Sequence, residues 1–376
     1  MPTSLVRRRA FLARSASTIV LPSLAQPGRA APRRIIVAQV CDVSAQAQDV
    51  TRDFLVGARA AWQDVNARGG LHGRAVEHLS LEVDGSRASV QRAWDALRDN
   101  PACVVLSGTA GDPAATGLSS LLQQEDAAIV HAAPWLQNSG AGLDERTFAI
   151  FSSHQDQIAH ALKSLTVGGV QEIGAVFASQ RAAGLYREDV QRAAAAVGMK
   201  LATWAGNGDD LARLGQRLGA ATPALLLFLG GTPELVQFTQ GLERQARQRY
   251  VVALADVNLQ TVQQMGAGRT TPIIATQSVP LVTAALPVVR QYREVLRRLF
   301  DEAPTALSLA GFIAARYTFE VLDDIDGQVT RASALAAFQK RREIDLGGYR
   351  ISFQGQRRGA SFVTQSMLTP DGRVVG

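Results

Sequence analysis

One segment, residues 53–73, constrains the fold more than any other part of the chain, because it joins an amphipathic helix to a glycine turn. Its sequence is DFLVGARAAWQDVNARGGLHG. Apolar side chains in it recur at spacings of three and four, the period of one helical face. They belong to Phe54, Ala58, Ala61 and Val65. Gly69 and Gly70 follow, and they end the helix where a left-handed backbone is needed.

The helix lies between two predicted strands, an apolar run at residues 35–40 and an alternating run at residues 75–83. Strand, helix and strand in this order form a βαβ unit, and the same alternation continues along the chain. With 376 residues and 47% apolar composition, the chain can bury a large core. We therefore predict an α/β protein with two lobes, each a doubly wound parallel sheet.

The amino terminus resembles a twin-arginine export signal rather than part of the fold. Three arginines at residues 7–9 precede a modest apolar stretch at 17–24, and small residues allow cleavage near Gln26 or near Ala31. Residues 1–30 are accordingly assigned to the signal. The alternative is a disordered basic tail of a cytoplasmic protein.

The basic composition comes largely from this leader. Five arginines precede Ala31 and no acidic residue does, so cleavage there reduces the formal charge from +6 to +1. A nucleic-acid partner is therefore not expected. No later segment approaches the roughly 18 apolar residues needed to span a bilayer, and no cysteine lies at a cleavage point. We predict no stable membrane anchor.

The two cysteines are predicted to be free thiols. Cys41 ends one predicted strand and Cys103 begins another, so a parallel sheet separates them by about five residues, or roughly 16 Å. A disulfide requires Cα atoms within about 7 Å. Cys103 is interpreted as a small buried apolar residue.

Three separated segments resemble the leucine/isoleucine/valine-binding protein family, the type I periplasmic binding proteins that serve ABC importers. They are DVNARGGLHG at 64–73, SLAGFIAAR at 308–316 and DLGGYRISF at 345–353. The resemblance covers nearly the whole mature chain. It implies the type I periplasmic binding fold, with two lobes joined by three hinge crossings and the ligand between them.

The crossings expected from this resemblance divide the chain into four parts. Residues 31–150 and 278–328 are assigned to the first lobe, and residues 151–277 and 329–376 to the second.

In the first lobe, the loop at 107–113 matches the family loop that grips the ligand carboxylate, which implies contacts from Thr109, Ala110 and Gly111. Asp112 stands where a hydroxyl residue is frequent, and its charge disfavours an anion. The alternative for this loop is an ordinary glycine turn in which Asp112 caps a helix.

Further ligand contacts follow from the same resemblance. Ala133 and Trp135 match a strand-to-loop element that walls the ligand. Trp135 either covers an apolar part of the solute or packs beneath the following loop. Cys41, at a strand's carboxyl end, is a further candidate for the cleft wall.

In the second lobe, Ala183 and Thr232 stand where the family commonly has aromatic side chains, which implies a roomier cleft. Asp256 matches an acidic position that faces the ammonium group of amino-acid ligands. A helix-capping aspartate is the alternative there.

We therefore predict a periplasmic, monomeric solute-binding protein that closes about a small amino-acid-like or carboxylated solute and docks with permease subunits. The chain has no GxGxxG, GxSxG or HExxH motif, so we expect no enzyme activity and no cofactor. His154 and His160 are six residues apart and do not share a helical face. A ligand-sensing module for a receptor and an exported cofactor enzyme are the alternatives.

Overall fold

The computed structural model describes residues 34–207, 210–267, 270–359, 362–369 and 371–376. The predicted export signal at residues 1–30 lies outside these ranges. Of the helices within them, none is both long and apolar enough to cross a membrane.

The first lobe is built on a sheet of five parallel strands. These are β1 (Ile35–Asp42), β2 (Val76–Val83), β3 (Cys103–Ser107), β4 (Val130–Ala132) and β5 (Thr147–Phe148). The helices between the first four strands are α1 (Gln48–Ala67), α2 (Arg87–Arg98) and α3 (Asp112–Gln124). The spatial order is β2-β1-β3-β4-β5, with all pairs parallel.

The second lobe is built on a sheet of seven strands. Its strands are β6 (Glu172–Phe177), β7 (Lys200–Ala205), β8 (Leu225–Leu229), β9 (Tyr250–Ala253), β10 (Ile273–Gln277), β13 (Thr364–Leu368) and β14 (Val374–Val375). Its helices are α4 (His154–Val167), α5 (Gln180–Ala196), α6 (Leu211–Arg217), α7 (Thr232–Leu242) and α8 (Leu259–Gln264). The order is β14-β13-β10-β9-β8-β6-β7, and only the pairs made by β13 are antiparallel.

Local sequence explains the central elements. All eight residues of β1 are buried, as expected for a strand covered by helices on both faces. The apolar face predicted for α1 is confirmed, since Phe54, Ala58, Ala61 and Val65 are buried. Gly69 and Gly70 have φ angles of +107° and +74°, in the left-handed region predicted for the end of this helix.

The chain returns to the first lobe after β10 and stays there longer than predicted. This return comprises α9 (Pro287–Leu299), α10 (Ala306–Asp323), α11 (Arg331–Gln339) and the hairpin strands β11 (Ile344–Asp345) and β12 (Arg350–Ile351). Helix α11 packs on β3 and β4, and its Phe338 contacts Phe148 of β5 and Tyr317 of α10. The predicted division at residue 329 therefore differs from the structure, in which the third crossing follows β12.

The carboxyl-terminal strands pair within different lobes. Ile344 pairs with Ile351 in the first lobe, whereas Thr364–Leu368 pairs with β10 of the second lobe.

Cys41 and Cys103 are buried and free. The register explains this, because Cys103 lies opposite Ile36, five residues from Cys41 along β1.

Candidate functional site

A cavity of about 780 Å³ lies between the two lobes, at the carboxyl ends of their strands. This edge of an open α/β sheet is where ligands generally bind, because loops and helix amino termini leave polar groups there. The first lobe contributes the ends of β1 and β2 and the start of α3, and the second lobe contributes the segments after β6, β8 and β9.

Asp42, the last residue of β1, lies in the wall and is fully buried. Its Oδ1 accepts a hydrogen bond from the Ser44 amide at 2.9 Å. Its Oδ2 is buried and has no hydrogen-bond partner among the described residues. A Cβ at Gly85 would lie 2.7 Å from this Oδ2, and one at Gly111 would lie 2.5 Å from the Asp42 Cβ. Two glycines of the cavity wall therefore flank this carboxylate.

Asp112 follows Gly111 at the start of α3 and also lines the cavity. Its Oδ1 accepts hydrogen bonds from the amides of Gln137 and Asn138 at 2.6 and 2.8 Å. The carboxylate thus fixes the loop after β4 against the start of α3. Burial raises the pKa of Asp112, and the charge of Asp256 adds to this shift.

Asp256 joins the lobes through Oδ1 and contacts His154 of its own lobe through Oδ2. Its Oδ1 accepts a hydrogen bond from Trp135 Nε1 at 2.9 Å, and its Oδ2 lies 2.7 Å from His154 Nε2. The Trp135 ring is buried and packs against Phe54 and Phe151, with centroids 5.7 and 5.1 Å away. Trp135 therefore packs in the core of the first lobe, with its indole nitrogen directed to Asp256.

His154 and Asp256 shift each other's pKa towards the charged form. Burial lowers the pKa of His154, but the hydrogen bond and charge of Asp256 outweigh burial, so the net shift is upward. Burial raises the pKa of Asp256, but the hydrogen bond and charge of His154 outweigh it, so the net shift is downward. His154 is thereby favoured as a cation and Asp256 as an anion.

Tyr186 supplies an aromatic side chain to the second-lobe wall. Its ring packs edge-on against His154, with centroids 4.9 Å apart and planes at 81°. It lies three residues after Ala183, almost one turn further along α5. The cleft therefore keeps an aromatic wall although Ala183 and Thr232 have no aromatic rings.

Of the ten predicted site residues, the cavity wall contains Gly111, Asp112 and Asp256. Thr109 and Ala110 lie behind it, with their polar groups in use. Thr109 Oγ1 lies 2.8 Å from His131 Nε2, and the Ala110 amide donates to the Val40 carbonyl at 2.9 Å. These hydrogen bonds hold the loop against neighbouring segments, so neither polar group is directed to the cavity.

The other predicted residues are packed within the lobes. Cys41 precedes Asp42 on β1 and so points to the opposite face of the sheet, where burial raises its pKa to about 12. Ala133 has a φ of +46° and donates its amide to Phe148. Ala183 lies in the core of the second lobe. Thr232 is buried at the start of α7, where its Oγ1 accepts from the Asn258 amide at 3.0 Å.

Sequence reasoning missed Asp42, Tyr186 and Glu234 as wall residues. A signal existed for Asp42, since an aspartate immediately after a buried parallel strand lies at the ligand edge of the sheet. No comparable local signal identifies Tyr186. Within the described ranges, no group of three or more His, Cys, Asp or Glu side chains is placed to hold a metal ion.

Comparison with known proteins shows where this architecture occurs. A family model described as periplasmic binding protein matches residues 34–368. No curated protein matches the sequence significantly.

Solved structures share the fold at low sequence identity. An extracellular ligand-binding receptor from Verminephrobacter eiseniae has a TM-score of 0.82 at 18% identity, covering 91% of this chain and 100% of that one. A substrate-binding periplasmic protein from Ralstonia solanacearum has a TM-score of 0.79 at 20% identity, with coverage of 91% and 99%. A branched-chain amino acid ABC transporter protein from Thermus thermophilus with bound valine has a TM-score of 0.77 at 14% identity, with coverage of 91% and 94%. The chain belongs to the periplasmic binding protein family and has its type I fold.

Proposed function

We propose that this protein is the periplasmic solute-binding component of an ABC importer. It captures a small solute between its lobes by hinge closure, makes and breaks no bond, and presents the closed shape to permease subunits. Residues 1–30 serve as the export signal in this proposal, and cell fractionation measures that part of it.

The observation that supports this function best is the cavity walled by both lobes. A ligand that touches both lobes binds the closed state more tightly than the open state, and this difference drives closure. A volume of about 780 Å³ lies within the range of small-molecule sites. The family resemblance and the valine-bound relative support an amino-acid-like or carboxylated solute as the first class to test.

Native mass spectrometry and small-angle X-ray scattering test this function together. The purified protein is expected to retain or take up a small solute, and its radius of gyration is expected to fall when solute is added to stripped protein. Saturation at about 100 times the dissociation constant adds roughly 2.7 kcal/mol to the free energy of unfolding.

We also expect no catalysis, so the solute recovered from the protein should be chemically unchanged. Turnover of the solute, or binding without any change in the radius of gyration, would contradict the proposal.

A further inference from the structure

Most of the charged side chains in the cavity wall are carboxylates. The wall contains five acidic side chains, those of Asp42, Asp84, Asp112, Glu234 and Asp256. Its cationic side chains among the described residues are Arg87 and Arg181, both exposed. A solute entering the deeper part of this cavity therefore meets mainly negative charge.

Several donors near these acids already have protein partners. The Ala110 amide and the Thr109 hydroxyl already have partners in β1 and in His131. The nearby Arg358 guanidinium donates to the carbonyls of Leu136 and Asn138 at 2.6 and 3.0 Å. An anionic group placed here would lie beside carboxylates, and the half-buried Arg358 and the buried His154 of the described ranges already have protein partners.

Asp42 provides an independent observation. It is 0% exposed, yet its Oδ2 lacks a hydrogen-bond partner in the part of the chain that the structure describes. An unpaired buried carboxylate oxygen is costly and calls for a donor. Gly85 and Gly111 flank it in the cavity wall.

The neighbouring carboxylates are only partly compensated. Asp256 has His154 and Trp135 as partners, whereas Asp112 has two backbone amides and no cationic side chain in hydrogen-bond contact. Burial and Asp256 together raise the pKa of Asp112 even though His154 opposes the shift. Positive charge from His154 therefore balances the carboxylates of this part of the wall only in part.

We propose that the solute is an organic cation, an amine or guanidinium compound, whose charged group lies beside Gly111 between Asp42 and Asp112. The inference rests on the proposed solute-binding function and specifies its solute. Tyr186, Ala182 and Leu254 line the second-lobe side and can contact the apolar body of such a compound. Asp256, whose oxygens both have partners, positions the wall and is not the primary contact.

Isothermal titration calorimetry with two sets of matched probes tests the charge preference. One set is 2-methylbutylamine, isoleucine and 3-methylpentanoate, and the other is phenethylamine, phenylalanine and 3-phenylpropanoate. Within a set the carbon skeleton is shared and only the charged groups differ. Agmatine and putrescine extend the cationic probes. In at least one set, the dissociation constant of the amine is expected to be lower than that of the acid by a factor of about ten or more. A hydrogen bond to a charged group usually changes affinity by about this factor.

Two isosteric variants locate the cation. Asp42→Asn and Asp112→Asn keep an oxygen that can accept the existing backbone hydrogen bonds but remove the charge, so each is expected to weaken amine binding about tenfold. Glu188→Gln is the matched control, since Glu188 is an exposed residue of α5 paired with Arg192. Thermal melts of all three variants check that they fold.

The outcomes separate the two proposals. If an acid or zwitterion binds at least as tightly as its matched amine and closes the lobes, the cation inference is wrong and the solute-binding function stands. Amine binding that Asp42→Asn and Asp112→Asn leave unchanged also overturns the inference. If no probe binds and no solute is found on the purified protein, both proposals fail.

Discussion

The Asp256 carboxylate of the second lobe accepts a hydrogen bond from the Trp135 indole of the first lobe. Trp135 Nε1 and His154 Nε2 occupy its two oxygens at 2.9 and 2.7 Å. A group that is held in this way is a fixed part of the wall, because a solute ammonium would have to compete with two existing partners. Asp256 thus lines the cavity, where the family resemblance predicts it, and two protein groups hold its carboxylate in place.

The pair makes stability depend on pH. The folded pKa of His154 lies above its ordinary 6.5, so its stabilisation is present below pH 6.5 and is lost as the pH rises through the folded value. The folded pKa of Asp256 lies below its ordinary 3.8, so its stabilisation is present above pH 3.8 and is lost as the pH falls through the folded value. Between these limits both contributions are present.

The variant Asp256→Asn is expected to lower the free energy of unfolding by roughly 2 kcal/mol near pH 6, because it leaves a buried imidazolium without its counter-charge. The loss should shrink at alkaline pH, where His154 is neutral. Urea denaturation between pH 5.5 and 9 measures this difference, with Glu188→Gln as a surface control. A loss that is constant across this range would show that the pair is not ionised as inferred.

Helices α1 and α10 cross at two glycines, Gly57 and Gly311. A Cβ on Gly57 would lie 1.6 Å from the Ser308 carbonyl oxygen, and one on Gly311 would lie 1.8 Å from the Phe54 carbonyl oxygen. The two backbones are therefore in direct contact. This close approach explains why glycine occupies positions 57 and 311, and it holds the returning helices against the first lobe.

Gly57→Ala is expected to lower the free energy of unfolding by about 3 kcal/mol, because the added methyl group must push the helices apart. Gly184→Ala is the matched control, since Gly184 lies within α5 and a Cβ there meets nothing within 4 Å. The control should gain up to about 1 kcal/mol from helix propensity. Denaturant unfolding compares the two, and equal effects would contradict the close crossing.

At the scale of the whole molecule, polar contacts join the two lobes. Asn258 Nδ2 donates to Asp53 Oδ2 at 2.9 Å, which joins the start of α8 to α1. Asp49 of α1 lies beside Thr232 at the start of α7, where burial raises the Asp49 pKa. These contacts depend on lobe position, so they favour the closed arrangement over an open one.

Asn258→Asp is expected to shift the protein towards an open state. The new side chain can still cap α8 through Oδ1, but it places a carboxylate against Asp53. Solute affinity should fall about tenfold, since part of the binding energy must then restore closure. X-ray scattering and calorimetry measure the two effects.

The exchanged pair Asp53→Asn with Asn258→Asp restores one donor and one acceptor, and it should recover most of the affinity. Failure of this double variant to recover, with folding intact, would argue against an interlobe role for the contact.

The sequence by itself determined the α/β class, the two lobes, the buried face of α1 and the left-handed turn at Gly69. These features arise from spacings of three and four or from a single residue's backbone freedom, so they are local. It also determined that Cys41 and Cys103 lie at opposite ends of neighbouring strands. Family resemblance added the ligand edge of the sheets and the loop containing Gly111 and Asp112.

Only the tertiary structure decided which side chains face the cavity. Cys41 and Asp42 are adjacent, and the alternation of β1 sends one behind the sheet and the other into the wall. Trp135 and Asp256 are 121 residues apart, and α11 packs on β3 although the family resemblance assigned residues 329–376 to the second lobe. Such contacts depend on how whole helices and strands pack together. The local spacing of apolar residues along the chain does not specify that packing.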